Sequence, residues 1–112
     1  MDSILNSIKK VLGVDEAYHA FDVDILMHIN SALAVLNQLG VGLSNGFTVV
    51  DNTQTWAAFM GDDPRLNLVK SYVALKVRKD FDPPNSGFVT NAITAQIDEY
   101  VWRIATAAEV NV

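Results

Sequence analysis

Cysteine is absent from the 112 residues, which removes disulfide frameworks, thiolate nucleophiles and cysteine-type zinc sites together. Histidine is scarce. The two present, His19 and His28, fall in different expected elements, and neither has a partner at the spacing that HExxH-type metal sites need. A basic excess is also missing. Eight Lys and Arg against thirteen Asp and Glu leave a net charge of -5, so the totals hold no electrostatic footprint for gripping phosphates. No apolar run approaches the length of a membrane span. The N-terminus MDSILNSIKKVLG, with a carboxylate at position 2 and no basic flank, does not resemble a secretory signal. Internal repeats are absent, and the obvious punctuation is the Gly-containing stretch 40–46 and the Pro83–Pro84 pair. One domain over 1–112 is expected.

What is present is apolar and helical. Half of the residues are hydrophobic and 19% are charged, more apolar material than one modest core requires. Ile4, Leu5, Ile8, Val11 and Leu12 fall on one side of a short helix that Asp2 or Ser3 caps and Gly13 ends. Asp22 is expected to cap a longer helix with Ile25, Ile29, Leu33 and Leu36 as its apolar stripe and Gly40 as a left-handed stop. On that helix Asn30 and Asn37, seven apart, share the shoulder of the stripe, where a neighbouring helix or loop bonds to both and sets the register. From about 40 to 52 the glycines forbid a helix, and FTVV at 47–50 suits a structured loop or short hairpin. Thr53 or Thr55 caps a short helix bearing Trp56 and Phe59, and Asp63–Pro64 opens another that runs to about Phe81. Pro83 and Pro84 stop it. Ser86 then caps the last helix, roughly 87 to 108, with Val89, Ile93, Ile97, Tyr100, Val101 and Ile104 on its core face. The fold class is therefore all-α, a small bundle of four to five helices with one structured loop or hairpin.

Two helices carry more apolar faces than a lone amphipathic helix needs. The helix after Asp63 has Leu66, Val69, Val73 and Val77 on one face and Leu68, Tyr72 and Leu75 on another. Either it runs through the middle of the fold or a second subunit covers its second face. On the last helix Phe88, Ala95 and Trp102 recur every seven residues opposite the core set. Trp102 is either an interface anchor or a core residue packed under the N-terminal helix.

Chemistry is poorly supplied. Asp22 and Asp63 are better used at helix starts than in acid-base pairs with Asp24 and Asp62, and no cleft is indicated for such work. Ser44-Asn45-Gly46 lacks the GxSxG frame of a nucleophile elbow, and GVGLSNG lacks the lysine of a phosphate loop. Lys70, Lys76, Arg78 and Lys79 are spread around a helix as a solvated face. Neither an enzyme nor a cofactor is expected.

Taken in order, SILNSIKKVLGVD, DILMHINSALAVLNQLGVG, TWAAF, KSYVALKVRKDFDPP and IDEYVWR resemble the head-tail connector (adaptor) proteins of long-tailed phages and their prophage relatives. INSAL..LNQLGVG, FDPP and E-x-x-W-R in this order are the most specific part. The resemblance implies a small helical protein without enzymatic activity, assembled in the bacterial host cytoplasm and located in the virion at the head-tail interface. It implies a homo-oligomeric ring, usually of twelve subunits, beneath the portal protein. That ring extends the DNA channel without sequence-specific binding and meets a stopper or tail-completion protein below. The chain ends soon after the WR helix, so no long C-terminal arm inserting into the portal is expected. Among the matched positions Asn30, Asn37, Trp56, Pro83 and Pro84 are expected to determine the fold. Trp102, Phe88, Arg103, Leu68, Tyr72 and Leu75 are the expected contact residues. A helical DNA-binding or regulatory module of a prophage is the alternative, which the acidic balance disfavours.

Overall fold

The chain is described by a computed structural model over residues 3–42, 46–61, 63–81 and 86–110, with side chains to 106. Pro83 and Pro84, expected to terminate a helix, lie outside these residues, as does the Ser44-Asn45 pair. Among the described residues there are five helices and no strand: α1 (Ile4–Leu12), α2 (Asp22–Gln38), α3 (Trp56–Met60), α4 (Leu66–Phe81) and α5 (Gly87–Val110).

Helix α1 starts where the Ser3 hydroxyl accepts the Asn6 N–H at 3.2 Å and ends at Gly13 with φ 77°. Its buried side is not the expected one at every position. Val11 is 51% exposed, and Lys9, four residues after Leu5 on the same stripe, is buried instead. Helix α2 buries Ile25, Ile29, Ala32, Leu33 and Leu36. The residue before it, Phe21, makes no side-chain cap, and Asp22 belongs to the first turn. The expectation that Asp22 caps the helix is thus corrected. Its carboxylate goes to the Lys9 ammonium at 2.8 Å, so that it meets a full positive charge where a cap would meet a neutral N–H.

After α2 the chain turns through Gly40 and Gly42, both at positive φ. A Cβ on Gly42 would run into the Phe59 ring, so only glycine fits between this turn and α3. The 46–55 segment forms no hairpin. Asn30 takes the place of a strand partner: its Nδ2 donates to the Val49 carbonyl at 2.9 Å, and its Oδ1 accepts the Val49 N–H at 2.8 Å. One carboxamide thereby satisfies both halves of a peptide group and turns the Val49 side chain into the core, where it is 1% exposed. Gln54 closes the loop by accepting the Val50 and Asp51 N–H groups.

Thr55 caps α3 by accepting the Ala58 N–H at 3.1 Å. Trp56 and Phe59 from this short helix are buried, and the Trp56 indole N–H donates to the Ser7 hydroxyl at 3.3 Å. Helix α4 begins at Leu66, a little later than Asp63–Pro64 led one to expect. The Asp63 carboxylate is occupied by the Arg65 side chain, taking Nη2 at 2.6 Å and Nε at 2.9 Å, as well as the Arg65 backbone N–H.

Helix α4 is the hub. It packs against α1, α2 and α5 and buries Val69, Tyr72, Val73 and Val77. Tyr72 was among the residues expected to meet another subunit, and this is corrected: at 2% exposure its ring belongs to the protomer's own core. Of the two alternatives for this helix, the central position applies at Tyr72. Leu68 and Leu75 beside it are only partly buried. Helix α5 packs chiefly on α4. It buries Ile97 and Ile104, while Ile93, Tyr100 and Val101 lie partly covered against the core and Val89, expected on that face, is 42% exposed.

Candidate interaction surface

The outer side of α5 holds the two most exposed aromatic side chains among the described residues. Phe88 is 84% exposed and Trp102 66%. With a step of roughly 100° per residue, Phe88, Ala95 and Trp102 drift only slightly around the helix and lie opposite Ile97 and Ile104. The helix turns one apolar side inward and another outward. Trp102 does not pack beneath α1. Asp98 and Glu99, one turn earlier, flank it on either shoulder, and Arg103 pairs with Glu99 at 3.2 Å, both largely in solvent. An exposed pair of this kind contributes only a few tenths of a kcal/mol.

At the other end of the fold the α1–α2 connection is tied down by a group that the sequence pattern did not single out. The Lys9 ammonium donates to the Glu16 carbonyl at 3.1 Å, the Tyr18 carbonyl at 2.7 Å and the Asp22 carboxylate at 2.8 Å. These bonds use all three donors of an ammonium, so Lys9 is a clamp and not a reactive amine. His19, exposed, shares the same carboxylate at 2.8 Å. The hydrogen bond from Lys9 holds the Asp22 carboxyl below its ordinary range, and the His19 bond adds to this. The sequence signal for the clamp is the spacing Leu5–Lys9–Leu12, which puts a lysine in the middle of an apolar stripe.

The clamp holds out an aromatic corner. Tyr18 and Phe21 meet edge to face at 5.5 Å, and Phe21 meets Phe81 of α4 at the same separation. Tyr18 is 50% exposed and Phe21 42%. His28, Asp24 and Asp80 stand around an open cleft beside Phe21 and Phe81. Among the described residues no three His, Cys, Asp or Glu side chains group as metal ligands.

The remaining expected site residues are scattered through the fold. Asn30 bonds Val49 as above. Asn37 and Gln38 border a shallow cleft against 46–48. Trp56 is buried under the Lys70 ammonium, which lies 5.9 Å from the ring centroid. Burial raises the Tyr72 hydroxyl above its usual range, and the hydrogen bond from Arg65 lowers the Asp63 carboxyl. Apart from the exposed Gln38, these groups are engaged in packing or pairing inside the protomer. The outward aromatic features are the α5 stripe and the aromatic corner, and Val23, Met27 and Val50 add exposed aliphatic surface elsewhere.

A family model described as phage connector protein matches residues 4–111, nearly the whole chain. The chain belongs to this family, and its role is that of a structural connector of the phage particle. Comparison with curated proteins and with solved structures finds no significant match. No helix among the described residues is long and apolar enough to cross a membrane.

Proposed function

We propose that the protein is the ring-forming adaptor between portal and tail, in which about a dozen copies close beneath the portal protein, as the resemblance implies. The ring extends the channel for DNA and presents its lower side to a stopper or tail-completion protein. It works without catalysis. The observation that carries this reading is the α5 stripe, where Phe88 and Trp102 stand in solvent on a protomer that buries its other tryptophan. Large aromatic side chains left outside one subunit are the usual anchors of a contact with another.

The acidic balance of the chain supports the channel role, since phosphate-gripping cations would hinder sliding DNA. Native mass spectrometry at rising concentration, with and without the portal protein, tests the proposal. Higher oligomers alone, or a closed ring on the portal, are expected. A chain that stays strictly monomeric and ignores the portal at every concentration contradicts it.

A further inference from the structure

If the copies form a ring, each must offer two different faces, because a closed ring is built from head-to-tail contacts in which one patch meets another. The α5 stripe supplies one face. We infer that the second is the outward side of α4, and that the occupant of each α4 face is the α5 stripe of the neighbouring copy. This inference rests on the ring reading above.

Three observations point to α4. Arg78 lies roughly 180° around the helix from the buried Val69, is exposed, and makes no ion pair among the described residues. On α5 the matching group is Asp98, likewise exposed and without an ion pair among the described residues, since Glu99 already takes Arg103. An unpaired cation and an unpaired anion therefore lie on the two separate faces that must meet. The third observation is shape. Along the outward side of α4, Asn67 and Arg78 are exposed, while Ser71 and Ala74 between them are short and half-buried. Short side chains between two longer ones leave room on that side for a protruding ring. In the docked arrangement Asp98 pairs with Arg78, and the Arg78 guanidinium stacks on the Trp102 indole, where the ring quadrupole attracts a cation. Leu75, partly buried at the edge of the same side of α4, gives the ring an apolar neighbour.

The chain contains no cysteine, which makes the test clean. Arg78→Cys and Asp98→Cys variants, each checked for unchanged helicity and melting, are mixed and mildly oxidised at a concentration where the unsubstituted chain forms oligomers, with the portal protein added if oligomers need it. A mixed 78–98 dimer is expected, because a disulfide requires Cα atoms within about 7 Å, and the double variant should give a ladder of linked copies. Arg78→Glu should raise the concentration for half-assembly about tenfold, and adding Asp98→Arg in the same chain should restore it. Oligomers that form without mixed cross-links, and an Arg78→Glu variant that assembles normally, would overturn the α4 assignment and leave the ring reading standing. Cross-links from position 98 to the portal in place of a second copy would overturn it too, by naming a different occupant. If no oligomer forms with or without portal, the ring reading itself fails and the α4 assignment with it.

Discussion

The body formed by residues 3–81 and the terminal helix α5 divide their apolar residues between core and surface in different proportions. Among the described residues, every buried hydrophobic one except Ile97 and Ile104 lies in the body, where α1 and α2 pack on α4. Along α5, by contrast, Phe88, Val89 and Trp102 are exposed, and the inward contacts are chiefly to α4. Helix α5 is thus only half covered by its own chain: it gives Ile97 and Ile104 to the core and leaves Phe88 and Trp102 outside. The contrast teaches where a second partner is best placed: the body also leaves side chains such as Val23, Met27 and Val50 uncovered, but the two most exposed aromatic rings among the described residues, Phe88 and Trp102, share one helix.

Mutations sharpen this division. Ile29, 0% exposed on α2, sits in the body, and Ile29→Ala should cost about 2 to 5 kcal/mol of stability through lost burial and a cavity. Chemical denaturation should show it as a lower midpoint with an unchanged slope. Next comes the clamp. Lys9→Met removes an ammonium that two carbonyls and Asp22 bond, with an expected loss of about 3 kcal/mol, the low end for breaking a buried ion pair because Asp22 keeps some contact with solvent. Melting should fall, and proteolysis should open the 13–21 connection first. Asn30→Ala leaves both polar groups of Val49 without their partner, costing about 1 to 3 kcal/mol. Faster amide exchange at Val49 would place the loss in the loop.

The smallest effect is one of pH. Since the Asp22 carboxyl is held below its ordinary value of 3.8 in the folded state, its contribution is fully present above that value. It is lost as pH falls through the lowered one. Melting temperatures between pH 6 and pH 2 should therefore drop more steeply for the unsubstituted protein than for Asp22→Asn. Equal slopes would mean that the clamp does not depend on the charge of Asp22.

Much of this fold was legible in the sequence because local rules carry it. Ser3, Thr55 and Ser86 cap where a short oxygen-bearing side chain precedes an apolar period, and Gly13 turns at positive φ after α1. What escaped was decided by distant partners. Asp22 reads as a cap until Lys9, thirteen residues earlier, claims its carboxylate. Lys9 itself reads as a solvated charge, since lysine is almost never buried unless its charge is matched. Tyr72 falls on a second apolar face whose covering the local pattern cannot assign to its own chain or to a neighbour. The shoulder position of Asn30 follows from helical spacing, but its partner Val49 is nineteen residues away and sits in a segment that spacing alone made a loop or a hairpin.

The claim that α5 is shaped for another subunit is tested most directly by Trp102→Ala. Its melting should be within about 0.5 kcal/mol of the unsubstituted protein, as for exposed positions generally. Association, read by native mass spectrometry in the presence of portal protein, should weaken by about 2 kcal/mol or more. A variant that unfolds would show that the indole belongs to the core of its own protomer. A variant that folds and closes its ring as before would show that the uncovered stripe is not the contact.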